Sequence, residues 1–272
     1  MNHLDASAEI PHRIAGDTWL ISNRVPAGPD AFISMNSMVI RGREPVIVDT
    51  GTPLHRDSWF AQVESLVDLE DVRWIFVSHD DGDHVGNLPE LLDRCPNATV
   101  IANFFMHERM AVEPHPLPLH RMRWLEAGDS FEAGGRRLHL VTPPIFDGPT
   151  TRALYDEQTA VLWAVDSFAA MTPAGVCDVS DVPAPMYDET FRTLNSMVAP
   201  WHELVDVARF REHCDRLEAL GIVAIASAHG PVLHGGAIPD AFERTRALAG
   251  APRVQPPGQS LLDEIVAAMV TP

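Results

Sequence analysis

Between positions 79 and 84 the chain reads His79-Asp80-Asp81-Gly82-Asp83-His84, two imidazoles and three carboxylates in six residues. Both side-chain types ligate divalent cations, and carboxylates crowded this closely resist burial because each would give up its hydration. A bound cation supplies the missing positive charge. A solvated acidic turn is the alternative reading of the same run. The residues just before it, Trp74-Ile75-Phe76-Val77-Ser78, are β-branched and aromatic, which is the pattern of a buried strand that delivers polar side chains to the end of a sheet.

Three other residues of ligand type follow predicted strands. Pro45–Asp49 ends at Asp49, Ala160–Val165 is followed by Asp166, and Ile222–Ala226 leads to His229. Further strands are expected at Thr18–Ser22, Met35–Ile40 and Thr99–Asn103, with a hairpin over Phe131–Val141 turning at Ala133-Gly134-Gly135-Arg136. Helical spacing marks Trp59–Leu69, Leu88–Arg94, Thr190–Met197, Leu204–Leu220, Pro239–Ala249 and Ser260–Val270. His107–His120, with its three prolines, reads as a loop or lid, because its histidine spacing fits no common ligand pattern. This alternation of elements gives an α/β or α+β class. Residues 1–250 are expected to form one domain of two half-domains, followed by a linker and helix over 251–272.

With 272 residues, 46% of them hydrophobic, the chain can bury a full core. Twenty basic against 38 acidic residues leave a net charge of −18, which argues against nucleic acid or an anionic membrane as partner. Cys95, Cys177 and Cys214 are too widely spaced to announce a disulfide framework or a thiolate metal site. The first ten residues carry no apolar leader, and no apolar run is long enough to span a bilayer. A cytoplasmic protein is expected.

The motif at 79–84 resembles the metal-binding signature of the metallo-β-lactamase fold superfamily, His-x-His-x-Asp-His, and the resemblance favours the metal reading over the turn. The acidic Asp81 in the third position is similar to the flavodiiron and oxygen-binding diiron proteins, which carry Glu there. Asn195-Ser196-Met197-Val198-Ala199-Pro200-Trp201 and Ala228-His229-Gly230-Pro231 resemble later segments of that branch, so the likeness runs over roughly residues 15 to 235. It implies an αββα sandwich of two sheets between helices, without a flavodoxin domain. It also implies that Asp49, in Asp49-Thr50-Gly51, supports the ligands from behind, although a turn or N-cap role fits the residue equally.

Carried over by position, the resemblance implies His79, Asp81 and Asp147 for one metal and Asp83, His84 and His229 for the other, with Asp166 bridging. Asp147 stands nineteen positions before Asp166, where the family has a loop histidine; Pro149 and Tyr155 keep the surrounding pattern. A turn role for Asp147 and substitution of His229 by nearby His234 are the rival assignments. Four carboxylates balance two divalent ions in charge. Oxygen-rich ligand sets favour iron, with zinc or manganese as alternatives.

Two chemistries compete. One is a diiron site that reacts with dioxygen or a related diatomic, using electrons from a separate donor protein. The other is a metallohydrolase that activates water against an ester, thioester or lactone. A diatomic-gas sensor is the third reading, and a homodimer is compatible with each. Arg152 is the candidate clamp for an anionic substrate. Arg24–Ile33, His107–His120 and Cys177–Asp188 are the loops expected to shape a pocket, with Tyr187 and Trp201 as its aromatic candidates.

Overall fold

The computed structural model describes residues 10–112 and 116–270. The leader reading over residues 1–9 and the loop assignment of His115 lie outside the described residues.

β1 (His12–Ala15) and β2 (Thr18–Ile21) form a hairpin, and β3 (Arg24–Gly28) with β4 (Ala31–Ser34) a separate two-stranded ribbon. β5 (Ser37–Ile40) returns beside β2, and β6 (Val46–Val48) beside β5. From there the connections run parallel through helices. α1 (Arg56–Glu64) leads to β7 (Trp74–Phe76). α2 (Gly82–Val85) and α3 (Leu88–Arg94) lead to β8 (Thr99–Ala102), and α4 (Phe104–Met110) to β9 (Met122–Trp124). The result is a seven-stranded sheet in the order β1-β2-β5-β6-β7-β8-β9.

A six-stranded sheet follows. β10 (Ser130–Ala133), β11 (Arg136–Val141), β12 (Ala153–Asp156) and β13 (Val161–Trp163) form an antiparallel meander. α5 (Ala184–Val198) and α6 (Val207–Glu218) then lead to β14 (Ala224–Ala226), which lies parallel to β13, and β15 (Leu233–His234) closes the edge. α7 (Ala237–Arg246) and α8 (Gln259–Val270) end the described chain.

Strand alternation builds the layers. Val46, Val48 and Phe76 face inward onto Leu138, Leu140, Leu154 and Trp163 of the second sheet. Ile47, Ile75 and Val77, their neighbours along the strands, face outward onto Trp59, Val63 and Leu91 of α1 and α3. Phe191, Phe210 and Phe242 bring α5, α6 and α7 onto the other side of the second sheet. The layers are therefore helix, sheet, sheet, helix, an αββα sandwich. Among the described residues no helix is long and apolar enough to cross a membrane.

Several expected elements have different limits. α1 begins at Arg56 and stops at Glu64, so Leu66 and Val67 pack beyond its end. α5 begins at Ala184, six residues before the expected start, with Pro185 in its first turn, where a missing N–H costs nothing. The stretch Leu204–Leu220 is divided: a 3-10 turn ends at Leu204, and Asp206 caps α6 by accepting from the Arg209 N–H. His107 lies on α4 and not in a loop.

Candidate metal centre

The loop after β7 is laid onto the turn after β6. Asp49 is fully buried; its Oδ1 accepts from the Ser78 N–H at 2.7 Å, and its Oδ2 accepts from Ser78 Oγ at 2.6 Å and Trp163 Nε1 at 3.0 Å. The same Oδ2 lies 2.9 Å from His84 Nδ1, which therefore donates to it. Asp49 adopts a left-handed backbone (φ 57°), a conformation aspartate tolerates better than most residues. Gly86 packs so closely that an added Cβ would come within 2.2 Å of Pro53 Cδ and 2.8 Å of the Gly51 carbonyl. Only glycine lets the motif helix sit on the Asp49-Thr50-Gly51 turn.

The second sheet supplies the facing residues. β13 ends at Trp163, short of the expected Val165, because Val165 (φ 58°) and Phe168 (φ 64°) turn the chain left-handed on either side of Asp166. Such a conformation strains a β-branched residue. It is held by the Ala228 N–H donating to the Val165 carbonyl at 2.7 Å. Beyond β14, Asn36 Nδ2 donates to the Ser227 and Gly230 carbonyls, and His229 Nδ1 donates to the Ser34 carbonyl at 2.8 Å.

These anchors aim three Nε2 atoms at one carboxylate. Asp166 Oδ1 is 3.3 Å from both His84 Nε2 and His229 Nε2, while its Oδ2 is 3.6 Å from His79 Nε2. Asp83 Oδ2 stands 3.3 Å from His229 Nε2, and Asp81 Oδ2 3.8 Å from His79 Nε2. Three triads that could each hold a cation result, each with its atoms within 4.8 Å: His79, His84 and Asp166; Asp83, His84 and His229; His79, Asp81 and Asp147. All seven expected ligands are thus brought together. His234 is not among them; it lies on β15 with its Nε2 3.5 Å from Asp178.

The residues fit a pair of cations. His79 Nε2, His84 Nε2 and Asp166 Oδ1 are buried with no hydrogen-bond partner. Buried polar atoms without partners are costly, and here all three converge on the same point. On His84 and His229 the Nδ1 protons are committed to Asp49 and Ser34, which leaves each Nε2 lone pair facing inward, the tautomer a metal requires.

Electrostatics within the protein polarise the cluster. Burial opposes charge on His84, but Asp49 and Asp166 outweigh it and hold its pKa well above the usual value. Burial likewise opposes charge on His229, where Asp166 prevails and the pKa is raised. Burial opposes ionisation of Asp166 as well, yet His229 and His84 pull its pKa well below the ordinary carboxylate range. His79 is lowered by burial and by adjacent His84, and Asp81 is raised by burial, with Asp147 and Asp83 adding to it.

Other motif residues have supporting roles that spacing did not reveal. Asp80 turns away from the cluster; its Oδ1 accepts from Thr150 Oγ1 at 2.7 Å and from Arg109 at 2.9 Å, joining the motif loop to α4 and to the 147–152 loop. Asp147 accepts from Thr151 Oγ1 at 2.9 Å while remaining exposed toward Asp81. Trp201 donates to the Phe146 carbonyl and stacks on Phe146, fixing the residue before Asp147. Tyr187 is buried against Phe191 as a packing residue. Arg152, the expected clamp for an anionic substrate, is only 1% exposed and donates to the Val77 and Leu125 carbonyls. It cannot reach a substrate. A buried arginine carries no periodicity signal, so only the fold could reveal this.

Residues 33–230 match the family described as "ODP family beta lactamase". The chain is 27% identical over 216 residues to a type A flavoprotein of Rhodobacter capsulatus, covering 73% of this chain and 45% of the relative. It is 26% identical over 205 residues to an anaerobic nitric oxide reductase flavorubredoxin of Vibrio vulnificus, covering 73% and 40%. The fold superposes on rubredoxin oxygen:oxidoreductase of Desulfovibrio gigas with a TM-score of 0.75 at 15% identity, covering 87% of this chain and 61% of that one. The chain therefore spans less than half the length of these curated relatives.

Proposed function

The chain belongs to the ODP family of β-lactamase-fold proteins, and on that premise we propose that it is a diiron oxidoreductase acting on dioxygen or nitric oxide with electrons from a separate donor. The observation that carries this reading is the convergence of partnerless His79 Nε2, His84 Nε2 and Asp166 Oδ1 with exposed Asp81 and Asp147. His79, Asp81 and Asp147 would hold one ion, Asp83, His84 and His229 the other, and Asp166 both. Bound iron would relay the donor's electrons and offer open coordination positions to a diatomic.

The chain's own residues set the conditions. Asp49 and the Ser34 carbonyl orient His84 and His229 by their Nδ1 protons, and buried Trp163 in turn holds Asp49 by donating to its Oδ2. Hydrolysis of an anionic substrate would call for a side-chain cation at the centre, and buried Arg152 is unavailable for that. Residues 1–250 would be the catalytic unit, with 251–272 an appendage to it. Action in the cytoplasm and pairing of two copies of the chain belong to the same proposal.

The test is metal analysis of anaerobically purified protein, with its near-ultraviolet spectrum followed through reduction and oxygen addition. Two irons per chain and a spectrum that bleaches and recovers are expected. Ester, thioester or lactone cleavage by the zinc form, together with no oxygen or nitric oxide consumption by the iron form from any donor, would overturn the reading. Binding of the gas without its consumption would leave a sensor.

A further inference from the structure

Arg152 is among the largest fully buried side chains of the protein, and among the described residues no carboxylate lies within 4 Å of it. A guanidinium in that position is expensive unless something nearby needs its charge. It lies between the two sheets, at the end of the loop that carries Asp147 and one residue before β12.

Its hydrogen bonds go to the backbone beneath the metal ligands. One terminal nitrogen donates to the Val77 carbonyl and the other to the Leu125 carbonyl at 3.1 Å. The Arg152 backbone N–H donates to the Ser78 carbonyl at 2.9 Å. The guanidinium carbon lies 5.6 Å from the centre of the Phe76 ring. The two carbonyls immediately before His79 are thus both held by this one residue. Ser78 is in turn the residue that gives Asp49 two hydrogen bonds. Burial lowers the guanidinium pKa to about 10 against the opposing fields of Glu126, Asp49 and Asp80, so it is charged at neutral pH.

The charges then balance in a particular way. Four carboxylate ligands offset two divalent ions, which leaves buried Asp49 as an unbalanced negative charge against the centre. We propose that Arg152 is the positioning residue and fixed counter-charge of the metal centre: it holds His79 and Asp49 in register through Val77 and Ser78, and its buried charge offsets Asp49. This rests on the diiron reading above. A fixed positive charge next to the centre disfavours the more positive, oxidised ions, so it raises the reduction potential.

Arg152→Met removes the charge and keeps the buried stem, whereas Arg152→Lys keeps the charge and loses the two-carbonyl grip. Zinc affinities are measured by anaerobic titration, and the iron midpoint potential by spectroelectrochemistry. Arg152→Met should bind zinc about 10- to 100-fold more weakly at the His79 site and show a more negative midpoint. Arg152→Lys should lose affinity at that site while its midpoint stays near wild type. Wild-type affinities and midpoint in folded Arg152→Met, or equal midpoint shifts in both variants, would overturn the proposal. Should Arg152→Met not fold, Arg152→Gln, which keeps a donor for the Val77 carbonyl, takes the same readouts. If the wild type binds two zinc ions but has no reversible iron couple, the diiron function fails on its own, and the zinc affinities still decide the role of Arg152.

Discussion

Replacing Asp166 by alanine removes the one carboxylate that faces both halves of the centre. Its Oδ1 is 3.3 Å from His84 and His229 Nε2 and its Oδ2 is 3.6 Å from His79 Nε2, so no other side chain can substitute for it. Each proposed ion has four protein ligands, and each would lose one. The shell would also fall from four carboxylates to three against two divalent ions, leaving a net positive charge in a buried site. Loss of a residue that only orients a ligand costs about 10- to 100-fold in affinity, so loss of a ligand should cost at least about 100-fold at each site. That corresponds to about 2.7 kcal/mol per ion. The fold should survive, because His84 keeps its bond to Asp49 and His229 its bond to the Ser34 carbonyl. The assay is anaerobic iron or zinc titration with elemental analysis, with circular dichroism as the folding control. Stoichiometry should fall from two to below one at micromolar metal. A folded variant that loses one ion and keeps the other at wild-type affinity would refute the bridging assignment.

Other perturbations separate the parts of the site. Asp147→Ala should weaken the ion of His79 and Asp81 and spare the ion of His84 and His229; an unchanged titration would assign Asp147 to the turn it makes with Thr151. Gly86→Ala forces a Cβ to within 2.2 Å of Pro53 Cδ, so it should destabilise the protein by about 1–3 kcal/mol in urea denaturation, and a midpoint equal to wild type would show the loop free to shift. Burial lowers the His213 pKa, and its Nε2 lies 3.0 Å from the Thr142 carbonyl. The unfolded chain therefore binds the proton more readily, and stability should fall as pH drops through about 6.5 towards the lower folded pKa. His213→Gln should lose that part of the pH dependence, and identical stability profiles for the two proteins would contradict it.

What was legible in the sequence was the set of places where an apolar strand stops at a ligand-type residue. Strand β7 before His79 and β14 before His229 are buried, uninterrupted and short, so their ends can be read from apolar runs alone. Asp147 was reachable only by counting from Asp166, because a loop residue has no periodicity of its own. The supporting residues had no signal at all. Asp80 stands inside the metal motif yet is taken up by Thr150 and Arg109, which come from segments far along the chain. Val165 belongs by composition to a continuous strand, and only its bond from the Ala228 N–H explains why the chain turns left-handed there. Tertiary contacts override local preference at these points, and they lie beside the ligands, where strain is expected to collect.

The two positions at which this chain departs from the flavodiiron pattern, Asp81 and Asp147, are also the two exposed members of the proposed ligand set. Exposure explains why the substitution is tolerable there. A carboxylate in place of an imidazole, or with a shorter arm than glutamate, keeps part of its hydration at the open side of the centre. The same change at His79 or His84, each only 1% exposed, would bury a further charge beside Asp49 and Asp166. The open half of the site can therefore shift toward harder, oxygen-rich coordination while the buried half keeps its imidazoles. Asymmetry in burial thus becomes asymmetry in metal preference: the His79 ion should exchange more readily and favour harder cations than the ion of His84 and His229.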